Sequence, residues 1–238
     1  MMTQISLGGL SVDVTFKNIK NVHLSVHPPA GRVSIAAPSK MNLETIRVFA
    51  LTKLNWIKRQ QRKLKEQARE TPREYIGRES HYLWGKRYLL TVLEGDVATS
   101  IAVKHSRLLL RVPKRASTEK KRAVLAEWYR EQMKAVVPLL IAKWAPVIGV
   151  TVERVYMQQM KTKWGSCNPR ARSVRLNTEL AKKPKECLEY IVLHEMTHLL
   201  EPTHNTRFTA MMDRFMPGWR LRRDQMNQLP VRHEEWRF

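Results

Sequence analysis

One pentad governs what this chain can fold into: His194-Glu195-Met196-Thr197-His198, set in an apolar run that reads as a helix from about Lys185 to Glu201. At 3.6 residues per turn, positions i and i+4 project from one helix face, so the two imidazoles can converge on one metal ion. A catalytic zinc takes three protein ligands and keeps its fourth position open for water. His204 is the candidate for the third ligand, because Pro202 cannot continue the helix and biases Glu201 toward extended geometry, turning the chain at Glu201-Pro202-Thr203. Asp213 and Asp224, on later helical segments, are the alternatives. On a helical wheel Leu188, Ile191, Val192 and Leu199 share a face. Glu195 falls among them, about 60° from Val192 on one side and from His198 on the other. A carboxylate turned toward a core is costly unless something occupies it. Water activated by the metal would do so, with Glu195 as the general base that takes its proton. The competing reading is an amphipathic helix whose histidines merely fall four apart.

With 238 residues, 43% of them hydrophobic, the chain can bury a core as one large domain or two small ones. Its net charge of +22 is spread along the whole length. That favours a polyanionic partner, DNA or RNA above all, or an acidic substrate or surface, while many basic proteins bind nucleic acid only weakly and in a salt-dependent way. Two cysteines, Cys167 and Cys187, exclude a disulfide framework and a Cys-rich zinc finger. Cys187 lies almost two turns upstream of His194, about 10 Å along the helix axis, too far for a ligand. The N-terminus lacks a leader pattern and no apolar run has membrane-spanning length, so a cytoplasmic protein without a membrane partner is expected.

Alternating apolar positions over residues 10 to 37 (Val12, Val14, Phe16; Val22, Leu24, Val26; Val33, Ile35) predict a three-stranded meander. A basic helix follows from about Leu43 to Arg69, carrying Lys58, Arg59, Arg62, Lys63 and Lys65. Short strands return over Ser80 to Val112, and a long amphipathic helix over residues 117 to 148. A strand-like segment from Ser173 to Leu180 precedes the pentad helix, and helices over His204 to Phe215 and Trp219 to Asn227 follow it. No internal repeat stands out. The expected fold is α+β: residues 1–113 a β-rich N-terminal region with one long basic helix, and residues 114–238 a zincin-like metallopeptidase domain.

The run from His194 through Glu201-Pro202-Thr203-His204 to Arg207-Phe208, preceded by Lys163-Trp164-Gly165-Ser166-Cys167, resembles the YgjP-like family of metal-dependent hydrolases. The likeness extends to the Val33–Pro38 strand end and to Lys53-Leu54-Asn55-Trp56-Ile57, so it spans nearly the whole chain. It implies a zincin-type metallopeptidase related to the SprT-like and WLM proteases, some of which act on proteins bound or crosslinked to DNA. It further implies His194, His198 and His204 as zinc ligands and Glu195 as the base. The histidine spacing also matches the metzincin pattern, but Glu201 stands where that pattern requires glycine.

Trp164, Gly165 and Ser166 are candidates to line a substrate cleft by strand addition, against a reading in which Trp164 anchors the core, Gly165 makes a turn and Cys167 is a small buried residue. Arg207, one turn past His204, either stabilises a developing oxyanion or faces solvent. The expected function is a zinc-dependent endopeptidase acting on a protein or peptide, nucleic-acid-associated proteins included. The alternatives are a metal-dependent nuclease built on the three-histidine site and a binding module with structural zinc.

Overall fold

The computed structural model describes residues 2–27, 31–66, 73–160 and 163–229, and they form a mixed α+β chain. Two compact units divide it, one up to Glu70 and one from Thr71 to Arg232. The boundary expected at 113 therefore falls inside the second unit. Leu83, Leu90, Leu108, Leu110 and Val112 share one core with the helices that follow, and a sheet cannot be parted from the core it closes.

In the first unit, β1 (Met2–Leu7), β2 (Leu10–Lys17), β3 (His23–His27) and β4 (Arg32–Pro38) form a sheet of order β1-β2-β4-β3. The meander expectation fails here. β2 runs parallel to β4, with Val12 opposite Val33 and Val14 opposite Ile35, while β3 pairs antiparallel on the outside. The physical reason is burial. Val12, Val14, Val33, Ile35 and Ala37 are wholly enclosed, whereas Leu24 and Val26 are half-buried, so the more apolar strands take the centre. The basic helix is two helices, α1 (Leu43–Thr52) and α2 (Leu54–Glu66), broken at Lys53, whose amide bonds back to the Ala50 carbonyl. Residues 67–69 of the expected helix lie outside the described residues.

The second unit opens on the same plan. β5 (Ser80–Leu83), β6 (Lys86–Gly95), β7 (Ser100–Lys104) and β8 (Arg107–Pro113) are ordered β5-β6-β8-β7, again a hairpin, a parallel central pair and an antiparallel edge. Both hairpins turn on two residues of positive φ, Gly8-Gly9 and Trp84-Gly85, the backbone of a tight primed turn. Each fourth strand ends in proline, Pro38 or Pro113. Four residues on, Asn42 or Ser117 caps a helix through its side-chain oxygen. A ββββα unit thus occurs twice in the topology, although no repeat stands out in the sequence. What repeats is turn geometry and burial, with too little residue identity to be legible in the sequence.

Helix α3 (Thr118–Ile148) follows the expected span and buries Leu125, Tyr129, Met133, Val137 and Trp144 along one stripe before Gly149 ends it in the left-handed conformation. A small sheet then forms from β9 (Arg154–Gln158), β10 (Gly165–Asn168) and β11 (Ser173–Asn177), with β11 in the middle and β10 an edge. Thr178–Lys182 is a 3-10 turn and not the end of a strand, because the Asn177 side chain accepts the Glu179 amide and starts a helical turn there.

Helix α4 (Lys185–Thr197) is apolar nearly all round, with Leu188, Val192, Leu193 and Met196 fully enclosed, each worth about 1.5–3 kcal/mol of burial. It is the central helix of the unit. From α3, Lys143 Nζ and Trp144 Nε1 both donate to the Glu189 carboxylate, at 2.6 and 3.0 Å. The β5–β6 hairpin tip donates from Trp84 N to Ala181 O and from Gly85 N to Lys182 O, fixing the turn that feeds α4. Helices α5 (Thr206–Phe215) and α6 (Trp219–Gln228) complete the unit. Among the described residues no helix is long and apolar enough to cross a membrane.

Candidate metal centre

Helix α4 ends one residue before the second pentad histidine. The amides of Leu199, Leu200 and Glu201 bond back to Met196 and Thr197 in a tightened last turn, and Pro202 then forbids any continuation. The Glu201 carboxylate, in the place that a metzincin gives to glycine, accepts from the Thr203 amide and hydroxyl at 3.3 and 2.9 Å. Those bonds hold its carboxyl below the usual range. Asn205 closes the turn, its Oδ1 capping α5 through the Phe208 amide and its Nδ2 on the Thr203 hydroxyl. His204 is held between these two anchors.

The loop brings His204 Nε2 to 2.9 Å from His194 Nε2 and 3.0 Å from His198 Nε2. One ligand atom from each of the three lies within 4.8 Å of the others. Nitrogens about 2.05 Å from a tetrahedral ion stand roughly 3.3 Å apart, so the spacing suits one metal held by three imidazoles. The protonation states suit it too. His198 Nδ1 lies 2.9 Å from the Glu201 carbonyl oxygen, which can only accept, so Nδ1 carries the proton and Nε2 presents its lone pair. Burial, then the charges of His198 and His204, push His194 down to about 3, leaving its ring neutral, and its buried Nδ1 has no hydrogen-bond partner among the described residues. Burial likewise lowers His198.

Glu195 is 6% exposed. Burial pushes its carboxyl up to about 7, with the Lys163 charge pulling the other way. It lies against Gly165, so β10 flanks the carboxylate.

Asp213 is not near the imidazoles' nitrogen cluster. It accepts from Trp219 Nε1 at 2.8 Å and pairs with Arg220, while Asp224 pairs with Arg223. Cys167 is half-buried on β10, its thiol raised to about 11 by burial and by the Glu195 charge, and Cys187 is enclosed on α4. Trp164 is half-buried and packs on the core, with the Lys183 ammonium 5.8 Å from its ring centre. Ser166 is half-buried on β10 opposite Arg175. Arg207 is exposed, its guanidinium 3.7 Å from the Glu201 carboxylate.

Two residues with a part in the site escaped residue-level reading. Phe208, enclosed on α5, stacks on His198 with ring centres 4.6 Å apart and lies 4.9 Å from both His194 and His204, forming an apolar floor under all three rings. Its four-residue spacing from His204 was the available signal. Asn177 is the other, bonded through Nδ2 to the Met160 and Lys163 carbonyls, and nothing in its neighbourhood in the sequence marks it.

An α+β unit that presents three converging imidazoles beside a buried carboxylate has the parts of a metal-dependent hydrolase. The YgjP-like metallopeptidase-domain family matches residues 20–229, and the chain belongs to it; it is a metallopeptidase. Among solved structures it is similar to the metallopeptidase zymogen of Pyrococcus abyssi abylysin, at 20% identity over 38% of this chain and 91% of that one, with a TM-score of 0.36. The zymogen of Methanocaldococcus jannaschii jannalysin is similar at 19% identity over 38% and 88%, with a TM-score of 0.33. No curated protein sequence matches.

Proposed function

We propose that the chain is a zinc-dependent endopeptidase of the zincin type, with His194, His198 and His204 as ligands and Glu195 as general base. The convergence of three imidazole nitrogens, with the buried Glu195 next to His194 in the chain, carries this reading. Zinc held there would acidify a water molecule and polarise a peptide carbonyl. Glu195 handles the proton: its carboxylate takes it from the attacking water and returns it to the departing amine nitrogen. Burial raises its carboxyl in the metal-free chain, which makes the carboxylate a stronger proton acceptor than an exposed glutamate. The enclosure that raises this group also excludes bulk water as a competing proton acceptor.

The edge strand β10 supports an extended peptide as the substrate, since an edge offers backbone amides and carbonyls for strand addition. Ser166 and the backbone of Gly165 would face that peptide from β10, with Trp164 at the strand's start, and Arg207 would stand at the rim beyond His204. The charge of +22 and the exposed cations Lys58, Arg59, Arg62, Lys63 and Lys65 of α2 favour substrates that are themselves held on nucleic acid.

The test incubates zinc-loaded wild type and Glu195→Gln with casein and with a basic DNA-binding protein, with and without single-stranded DNA, and follows cleavage by intact mass. Wild type is expected to cut, faster with DNA present. Glu195→Gln should retain one zinc per chain and lose activity by about 10³-fold. Undiminished cutting by the zinc-replete variant would remove Glu195 from its role.

A further inference from the structure

Gly165 opens strand β10 and pairs with Leu176 of β11, a position where glycine costs backbone entropy and offers no side chain to pack. Its backbone does not ask for glycine. The glycines with positive φ are Gly8, Gly9, Gly31, Gly85 and Gly149, and Gly165 is not one of them. What it lacks is room. A Cβ built on Gly165 would stand 2.6 Å from Glu195 Oε1, 2.7 Å from Cγ and 2.9 Å from Cδ, all inside van der Waals contact and all on one side chain.

The strand cannot retreat to make space. Asn177, 5% exposed on neighbouring β11, donates from Nδ2 to the carbonyls of Met160 and Lys163, both at 2.9 Å. Its Oδ1 accepts the amides of Met160 at 3.3 Å and Glu179 at 3.1 Å, and its own amide bonds Trp164 O at 2.9 Å. The side chain thereby ties Met160 and Lys163, ahead of β10, to β11, while its Oδ1 also caps the 3-10 turn at Glu179.

We propose that Gly165 is a positioning residue for Glu195: the bare backbone of β10, clamped by Asn177, is the wall against which the carboxylate of the general base is set. This rests on the peptidase reading for its catalytic meaning. The contact itself does not.

Four proteins test it: wild type, Gly165→Ala, Glu195→Ala and the double variant. Each is melted with chelator present, following the transition that shifts when zinc is removed. Each is also titrated for zinc against a chromophoric chelator. Gly165→Ala should lower the midpoint by roughly 5 °C while Glu195 is present, and by much less once Glu195 is cut back to its own Cβ. Zinc affinity should stay within about threefold of wild type, because no ligand is touched. In turnover, Gly165→Ala should lower kcat on the order of 100-fold with little change in KM, as a displaced base does. If the single variant fails to fold and the double variant folds, the collision is shown in another way. Equal losses with and without Glu195, or failure of both to fold, would overturn the proposal by placing the need for glycine in the strand itself. A wild type that shows the coupling but cuts no protein would count against the peptidase reading alone.

Discussion

At the residue scale, the two neighbours at the head of the pentad are driven in opposite directions by the same cause. Burial disfavours charge, so His194 is held neutral down to about 3 while Glu195 keeps its proton up to about 7. For Glu195 the folded value lies above the ordinary 4.5, so the stability it contributes is complete below about 4.5 and is lost as pH rises through 7. His194 has the reverse sign, with its contribution complete above 6.5 and lost as pH falls through 3. An ionised Glu195 thus burdens the metal-free protein above neutrality, by about 1–3 kcal/mol. Metal-free Glu195→Gln should therefore melt above wild type at pH 8 and show no such advantage at pH 5. Thermal melts of both proteins across that range decide it; a pH-independent difference would show that the carboxylate is not desolvated.

At the element scale, the site is made where α4 stops and α5 starts. The Glu201 carboxylate ties down Thr203, Asn205 caps α5, and the chain between them has no freedom to carry His204 away. Pro202 made the turn legible in the sequence, but its direction depends on Phe208, which α5 tucks beneath the three rings. Phe208→Ala should cost about 3–5 kcal/mol of stability, as removal of an enclosed aromatic does. It should also weaken zinc binding about tenfold, since the rings lose the surface that orients them. Chemical denaturation and a competitive zinc titration measure the two effects. Undiminished zinc affinity in folded Phe208→Ala would show that the loop alone sets the ligands.

At the scale of the whole molecule, the ββββα plan appears twice, and only the second copy runs on into the small sheet and the pentad helix. The second unit holds its own core, in which Leu90, Leu108 and Leu110 of the sheet share a cluster with Leu188, Val192 and Leu193 of α4. A fragment of residues 71–232 should consequently fold and bind zinc with the affinity of the full chain. A fragment starting at 114 should not fold, because it leaves that apolar helix surface uncovered. Circular dichroism and zinc titration of the two fragments check this, and a well-folded 114–238 fragment would restore the boundary read from the sequence.

What the sequence by itself determined were the features set by local chemistry. The i, i+4 histidines, the proline that ends the helix and the 31-residue α3 with its apolar stripe follow from rules that act over a few residues. Tertiary structure alone decided which strands pair. Apolar alternation marks a strand but says nothing of its neighbour, so the parallel pairs β2–β4 and β6–β8, and with them the repeat and the unit boundary, were not legible. It also decided how Glu195 meets Gly165, 30 residues away in the chain, because only packing brings the bare strand backbone against the helix that carries this carboxylate.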